Sequence, residues 1–148
     1  MSDHSLAKST VFVVDDDQAM RNSLKWLIES VGVAVESFAS ADDFLANYEP
    51  GRPGCIVLDV RMPGMSGLDL QEHLVRQNIR IPTVIITGHG DVPMAVRAMK
   101  AGAVDFIEKP FNDEALLDAI RRAIATEERQ RNAQFEHREI QARIEHLT

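Results

Sequence analysis

Short apolar runs alternate with longer amphipathic segments along this chain. Five runs are rich in aliphatic residues and are bounded by Gly, Pro or acidic residues, a pattern typical of buried strands. They lie at residues 10–14, 33–38, 55–58, 82–87 and 103–107. Each run is followed by a segment with apolar residues at helical spacing, so the pattern predicts five β-α repeats.

Residues that favour helix starts mark the predicted helices. Ser40, Ser66, Asp91 and Asn112 each stand where a side chain can cap the first turn. Apolar strands that alternate with helices predict a parallel sheet that is covered on both faces. Right-handed crossovers make that arrangement a doubly wound sheet, so the fold class is α/β.

The last segment of the chain differs from these repeats. Residues 126–148 contain no Pro or Gly and mix charges of both signs, which favours a solvated helix that extends the fifth helix. Ile140, Ile144 and Leu147 share one face, but no heptad pattern repeats long enough to establish a coiled coil. A linker helix and a pairing helix both stay open. We expect a first domain at residues 1–125 and a linker at 126–148.

Composition excludes several classes of protein. The 148 residues fit one domain with a modest extension. The net charge of -7 argues against nucleic-acid binding by this chain itself, since phosphate contacts need clustered Lys and Arg. The single cysteine, Cys55, lies in an apolar run and predicts a buried reduced thiol. Membrane-span and signal-peptide patterns are absent from the sequence, which predicts a cytoplasmic protein with no membrane partner.

Polar residues stand at the carboxyl ends of four predicted strands. The first strand ends in three aspartates at 15–17, the third in Asp59 and the fourth in Thr87, while Lys109 follows the fifth. In a parallel sheet these ends share one edge, which is where such folds bind ligands. These residues are therefore expected to converge although they are far apart in sequence.

Together these residue types favour phosphoryl chemistry. Clustered carboxylates repel each other and need a positive partner, and Mg²⁺ prefers a few carboxylates together with waters and phosphate oxygens. Lys109 adds a point charge suited to phosphate, and Thr87 offers a hydroxyl donor. An aspartate in such a group can act as a nucleophile and form an aspartyl phosphate. Taken singly, each residue has an ordinary role as a cap, a turn residue or a solvated lysine.

Four segments carry a specific family resemblance. They are Val-Val-Asp-Asp-Asp at 13–17, Val-Leu-Asp-Val-Arg-Met-Pro-Gly-Met-Ser-Gly at 57–67, Ile-Ile-Thr-Gly-His-Gly at 85–90 and Asp-Phe-Ile-Glu-Lys-Pro-Phe at 105–111. Over about residues 10–125 the chain resembles the receiver domains of two-component response regulators. Residues 87–103 most resemble the FixJ-like subgroup of transcriptional regulators. The resemblance implies a flavodoxin-like sheet of strand order 2-1-3-4-5.

The resemblance also implies a phosphorylation site and its metal ligands. Asp59 matches the phospho-acceptor. Asp15 and Asp16 match the acidic pair that, with Asp59 and the backbone carbonyl of Arg61, holds Mg²⁺, for which Mn²⁺ is an alternative ion. Asp17 is interpreted mainly as a helix cap.

Further residues match the part of the family that responds to phosphate. Thr87 matches the switch hydroxyl, Lys109 the phosphate-binding lysine, and Phe106 the aromatic switch position, for which ordinary core packing is the alternative. The bond between Lys109 and Pro110 matches one that is cis in the family. Arg61 and His89 are, by position, either residues that tune the phosphate lifetime or solvated side chains.

The implied function is signalling rather than enzymatic turnover. A sensor histidine kinase would phosphorylate Asp59, and a change on the fourth helix, fifth strand and fifth helix would promote a homodimer. Only autophosphorylation from phosphodonors and slow self-dephosphorylation are expected. Relatives of this subgroup bind DNA through a C-terminal helix-turn-helix domain, which is missing from this sequence. We expect a shortened form of a transcription factor, with a stand-alone receiver as the alternative.

Two rival classes share parts of this pattern. Asp15-x-Asp17 superficially matches the nucleophile motif of haloacid-dehalogenase phosphatases, but Ala19 stands where Thr or Val is expected. A flavodoxin-like electron carrier needs a phosphate-binding loop rich in Ser, Thr and Gly after the first strand, and three aspartates stand there instead. Turnover of phosphate esters would identify the first class, and bound flavin the second.

Overall fold

Strands and helices alternate along the described residues. A computed structural model describes residues 9–88 and 91–146, with side chains up to residue 133. The strands in this part of the chain are β1 (Thr10–Val14), β2 (Ala34–Phe38), β3 (Gly54–Asp59), β4 (Thr83–Thr87) and β5 (Asp105–Glu108). The helices are α1 (Gln18–Glu29), α2 (Ala41–Asn47), α3 (Gly67–Arg76), α4 (Val92–Lys100) and α5 (Asp113–His146).

The strands form one parallel sheet in the order β2-β1-β3-β4-β5. The predicted doubly wound fold and its strand order are therefore confirmed. The inner strands β3 and β4 are buried throughout, whereas the edge strands β2 and β5 are half-exposed. The register pairs Val14 with Leu58 and Asp59 with Ile86, so the carboxyl ends of the inner strands lie at one edge.

Side-chain alternation along each strand divides the core into two layers. Phe12 packs in a cluster with residues of α2 and α3, including Phe44 and Leu70. Val11, one residue earlier, faces the opposite layer with Leu24 of α1 and other residues of α1 and α5. Because successive side chains of a strand point to opposite faces, one apolar run serves both layers. Both faces are thereby covered, and the polar strand ends are left at the edge.

Most predicted helix caps are present. Asp17 accepts a hydrogen bond from the Ala19 N–H at 2.9 Å, and the caps at Ser40, Ser66 and Asn112 engage the first turns of α2, α3 and α5. Asp91 is the N-cap residue of α4 as predicted, but its side chain makes no capping hydrogen bond. The Asp91 carboxylate instead forms an ion pair with an arginine of the β3–α3 loop.

The fifth strand starts two residues later than the apolar run predicts. Gly102 has a φ of 108°, and the Ala103 N–H donates to the Ala98 carbonyl at 3.1 Å. The backbone of Ala103 is therefore used to close the end of α4, as glycine-terminated helices often do. Pairing with β4 resumes through the Val104 N–H, which donates to the Thr83 carbonyl at 2.8 Å.

The last helix continues well past the sheet. α5 extends from Asp113 to His146, so the predicted helical extension is confirmed. Its fully solvated character is wrong at Glu127, which is buried against the sheet. The side chains of Ile140 and Ile144 lie outside the described set, so their pairing role stays a prediction. In the described ranges, none of the helices has the length and apolarity that a membrane span requires.

Candidate functional site

Asp59 is the last residue of β3 and is only 8% exposed. The chain turns away directly after it: the Val60 N–H donates to the Ile86 carbonyl at 3.0 Å and the Gly67 N–H donates to the Val60 carbonyl at 3.2 Å. A Cβ at Gly67 would lie 2.3 Å from the Asp59 carbonyl oxygen. Glycine therefore lets α3 begin against the strand end, which fixes the backbone around Asp59.

Two further carboxylates lie beside Asp59. Asp15 follows β1 and is 1% exposed, whereas Asp16 is exposed. One oxygen from each of Asp15, Asp16 and Asp59 lies within 4.8 Å of the others. Asp15 Oδ1 accepts a hydrogen bond from the Asp17 N–H at 2.9 Å, but within the described residues the buried Oδ2 has no hydrogen-bond partner. Asp15, Asp16 and Asp59, which the sequence predicted to converge, therefore form one cluster.

Lys109 supplies positive charge to this cluster. Its Nζ lies 3.8 Å from both Asp15 Oδ2 and Asp59 Oδ2, which is ion-pair distance rather than hydrogen-bond distance. The Lys109 N–H donates to the Thr87 carbonyl at 2.8 Å, which holds the loop after β5 beside β4. The peptide bond from Lys109 to Pro110 is cis. One ammonium group therefore faces two buried carboxylates.

Burial dominates the electrostatics of the site. It raises the pKa of Asp59 to about 6, and the Asp15 charge adds to this effect while Lys109 opposes it. The pKa of Asp15 is also raised, chiefly by burial, against the Asp17 hydrogen bond and Lys109. Both shifts mean that Lys109 and the backbone N–H groups do not fully offset the burial of these carboxylates when they are ionised. A bound cation would supply the missing positive charge.

The donor set fits a hard divalent cation. Three carboxylates offer oxygen ligands within reach of a common point, and among the described residues the buried Asp15 Oδ2 accepts no hydrogen bond. Mg²⁺ takes such oxygens and keeps several waters, so a partly open site with one exposed carboxylate suits it. Asp15, Asp16 and Asp59 are the residues that would hold the ion. The Arg61 carbonyl stays a prediction as a further ligand.

Thr87 and Phe106 lie on neighbouring strands. Thr87 is fully buried, and its hydroxyl donates to the Gly88 carbonyl at 3.3 Å rather than to a carboxylate. The register pairs Phe106 with Ile85, two residues before Thr87, so Phe106 and Thr87 face the same side of the sheet. Phe106 is half-buried against one core layer. This position of Phe106 is compatible with both ordinary core packing and the predicted switching role.

Arg61 touches the site through its backbone while its side chain leaves it. The Arg61 N–H donates to Asp59 Oδ1 at 3.2 Å. The guanidinium reaches instead to Asp91, with Nε 2.6 Å from Oδ1. Sequence reasoning missed Asp91 as a partner, because the two residues are 30 positions apart and no spacing rule links a loop to a helix start. His89, the second predicted tuning residue, lies outside the described residues.

Comparison with known proteins decides the family. Residues 11–121 match the family of response regulator receiver domains. The chain belongs to the response regulator receiver family. The resemblance drawn from the four sequence segments is thus confirmed.

Curated relatives of this receiver include named transcriptional regulators. Nodulation protein W of Bradyrhizobium diazoefficiens is 55% identical over 127 residues, which cover 86% of this chain and 56% of that protein. The transcriptional regulatory protein FixJ of Rhizobium meliloti is 54% identical over 114 residues, covering 77% and 56%. The receiver chain thus spans about half the length of the curated relatives it matches.

Solved structures agree with this assignment. The response regulator StyR superposes with a TM-score of 0.90 at 49% identity, covering 96% of this chain and 72% of that one. The FixJ-N structure gives a TM-score of 0.75 at 52% identity, covering 79% and 94%. Receiver domains of this family are signalling domains that bind Mg²⁺ at an acidic pocket and interact with histidine kinases. The acidic cluster of this receiver has the matching composition.

Proposed function

We propose that this receiver accepts a phosphoryl group on Asp59 from the phosphohistidine of a sensor kinase. The observation that carries the proposal is the cluster of Asp15, Asp16 and Asp59 with Lys109 3.8 Å from two of its members. Three carboxylates carry more negative charge than one ammonium group can balance. A bound cation would balance the rest and would also attract a phosphoryl group. Domain and linker boundaries at residues 1–125 and 126–148 belong to the same proposal.

The chemistry starts from ionised Asp59. A carboxylate oxygen attacks phosphorus, the new O–P bond forms, the N–P bond breaks, and its electron pair returns to the imidazole of the kinase. With a pKa of about 6, most of Asp59 is ionised at pH 7, and its basicity is above that of an ordinary aspartate. Lys109 offsets charge on the transferring oxygens. Mg²⁺ would supply further positive charge there, and Asp15, Asp16, Asp59 and the Arg61 carbonyl would hold it.

The response begins at the phosphorylated side chain. A phosphoryl group carries about -1.5 to -2 charges, in place of the single charge of the carboxylate, and adds several strong acceptor oxygens. The Thr87 hydroxyl has only a 3.3 Å bond to the Gly88 carbonyl to give up, so it can turn to such an acceptor. That turn vacates space on the face of the sheet that Phe106 shares. This local change would bias the α4-β5-α5 surface between two states.

The outer side of α4 favours dimerisation as the consequence of phosphorylation. Val92, Val96 and Met99 are 43%, 43% and 36% exposed, and they follow each other at helical spacing. An exposed apolar stripe next to the switching strand is suited to contact a second copy. The relatives named as transcriptional regulators suggest that such a dimer controls DNA binding by a helix-turn-helix domain, with this chain making no DNA contact itself.

Intact mass tests the phosphorylation proposal. After incubation with Mg²⁺ and acetyl phosphate, the wild type should gain about 80 Da, one phosphoryl group. Asp59→Asn should gain nothing, while Asp42→Asn, which alters an exposed carboxylate of α2, should behave as the wild type. Size measured on the same samples should increase only where mass increases. Equal phosphorylation of Asp59→Asn would refute Asp59 as the acceptor, and a phosphorylated monomer would refute the dimer.

A further inference from the structure

One ion pair connects the loop after Asp59 to the start of α4. Arg61 Nε lies 2.6 Å from Asp91 Oδ1. The Asp91 side chain is 11% exposed whereas that of Arg61 is 70% exposed, so the arginine reaches inward from solvent to a nearly buried carboxylate. This short contact is charge-assisted and directional. The pair therefore fixes where α4 begins relative to the end of β3.

Asp91 is diverted from the role that its position favours. It is the N-cap residue of α4, yet its side chain makes no capping hydrogen bond. Pro93 at the second helical position has no N–H to offer, and the Met94 N–H donates to the Asp91 backbone carbonyl at 3.1 Å. An N-cap aspartate normally accepts from the second or third N–H of its helix. The carboxylate is thus used for the pair with Arg61 and not for a cap at Met94.

The same pair reaches the predicted switch hydroxyl through one shared acceptor. The Gly88 carbonyl accepts from the Asp91 N–H at 3.1 Å and from the Thr87 hydroxyl at 3.3 Å. At the other end, the Arg61 N–H donates to Asp59 Oδ1 at 3.2 Å. A continuous set of contacts therefore connects the proposed acceptor to Thr87.

We propose that the Arg61–Asp91 ion pair is a resting-state latch, released when a phosphoryl group on Asp59 competes for the Arg61 guanidinium. The trigger rests on the proposed function of Asp59. A phosphoryl group carries more charge than a carboxylate and accepts two parallel hydrogen bonds from a guanidinium, so it competes well with Asp91. Released Asp91 can cap α4. Because the Asp91 N–H donates to the Gly88 carbonyl, a shift of Asp91 also moves the acceptor that the Thr87 hydroxyl uses. Arg61 and Asp91 are positioning residues in this scheme.

Hydrogen exchange in the resting protein, with phosphorylated wild type as the reference, tests the latch itself. We compare Asp91→Asn, Arg61→Gln and the double variant with the wild type, both resting and phosphorylated. The matched control is Glu72→Gln, because Glu72 and Arg97 form a 3.9 Å ion pair that joins α3 to α4 away from the site. In resting Asp91→Asn, exchange over residues 87–95 should resemble that of phosphorylated wild type. The double variant should add little to either single variant, as expected for residues that act through one contact.

The rate of phosphorylation from acetyl phosphate is the second readout. Removing the latch should raise the rate in Asp91→Asn by about two- to fivefold, the worth of a partly exposed ion pair. Arg61→Gln removes both the ion pair with Asp91 and the contact that Arg61 would make with the phosphoryl group. It should therefore change hydrogen exchange in the resting protein as Asp91→Asn does, but without raising the rate of phosphorylation. Glu72→Gln should change neither readout.

Each contrary result has a distinct meaning. If Asp91→Asn and Arg61→Gln both match Glu72→Gln in exchange over residues 87–95, the latch is overturned. Faster exchange across the whole sheet would show general destabilisation and would also overturn it. If wild type gains no mass at Asp59, the proposed function and the phosphoryl trigger fall together. A local change in resting Asp91→Asn would in that case still establish that the pair restrains α4.

Discussion

The amino and carboxyl ends of the parallel strands form two opposite sides of the sheet, called the amino edge and the carboxyl edge. Each side holds a buried carboxylate, and the two carboxylates have very different partners. At the amino edge, Glu127 of α5 is 8% exposed. Its Oε1 accepts from the Gly54 N–H at 3.3 Å and its Oε2 lies 3.2 Å from Arg131 Nε. Gly54 is closely packed there, since a Cβ on it would lie 1.8 Å from the Thr10 carbonyl oxygen. Each oxygen of the Glu127 carboxylate therefore has one partner, the Gly54 N–H or the Arg131 guanidinium.

At the carboxyl edge, Asp59 is equally buried but has poorer partners. It shares one Lys109 ammonium, at 3.8 Å, with Asp15, and a third carboxylate from Asp16 lies close by. A cavity of about 540 Å³ lies at the amino edge, lined by residues that include Glu127, whereas one of about 350 Å³ lies beside the loop that follows Asp59. Cavity size therefore does not locate the chemistry. The chemistry is located instead by buried charge that lacks a full set of partners, because such charge is costly unless a ligand balances it.

Removing the shared ammonium should have the largest effect on the carboxyl edge. Lys109→Gln leaves Asp15 and Asp59 without their only described cationic partner and removes charge from the transferring phosphoryl oxygens. We expect phosphorylation from acetyl phosphate to slow by about 10- to 100-fold, measured by intact mass against time. Lys100→Gln, which alters an exposed lysine in the last turn of α4, is the matched control. Equal rates in both variants would remove Lys109 from the chemistry.

Neutralising Asp59 should stabilise the protein. The folded pKa of about 6 lies above the unfolded value of 3.8, so the folded state binds protons more tightly. Stability of the wild type therefore falls as pH rises from about 4 to 6, and the penalty is complete at pH 7. Asp59→Asn should gain on the order of 1–3 kcal/mol at pH 7 and much less at pH 4. Urea unfolding at both pH values checks this, and a gain that does not depend on pH would contradict it.

Mg²⁺ should stabilise the wild type by supplying the missing charge. At a concentration roughly tenfold above its Kd, the ion should add about 1.4 kcal/mol to the free energy of unfolding. A chelator should reverse the gain, and Asp59→Asn should show a smaller one because a ligand is lost. Thermal unfolding with and without the ion measures both. A similar gain in both proteins would place the ion elsewhere.

The smallest effect is expected at the amino edge. Glu127→Gln keeps an acceptor for the Gly54 N–H and loses only the ion pair to Arg131, whose side chain is 42% exposed. Burial raises the pKa of Glu127, so removing its charge offsets part of that loss. Stability at pH 7 should change by about 0.5 kcal/mol or less, whereas Glu127→Ala should cost about 1–3 kcal/mol by leaving the N–H unpaired. A large gain in Glu127→Gln would erase the contrast between the edges.

The sequence predicts the fold and the convergence of the acidic cluster well, because both follow from periodicity and topology. Apolar runs define the strands, and parallel strands bring Asp15 and Asp59 to one edge whatever their separation in sequence. The start of β5 was less predictable. The Ala103 N–H is used by the end of α4, a tertiary choice that no apolar pattern reveals.

Contacts made by single side chains were beyond sequence reasoning. Asp91 has the local signature of a cap, yet an arginine from a distant loop takes its carboxylate. Glu127 sits among alternating charges and looks solvated, but the backbone of Gly54 gives it a buried partner. In both cases a long-range partner overrides local preference. Charge patterns in a sequence predict average exposure, whereas the packing of neighbouring elements decides each residue.

The most direct test of the account is to locate the phosphoryl group chemically. Borohydride delivers one hydride to the acyl carbon of an aspartyl phosphate, which expels phosphate and leaves an aldehyde. A second hydride and a proton from water reduce this aldehyde to the alcohol, homoserine. After phosphorylation, reduction and proteolysis, mass spectrometry of the peptides identifies the altered residue. The account predicts homoserine at position 59 and unmodified aspartate at positions 15 and 16. Homoserine at either of those positions, or its absence from a protein that has gained the phosphoryl mass, would contradict it.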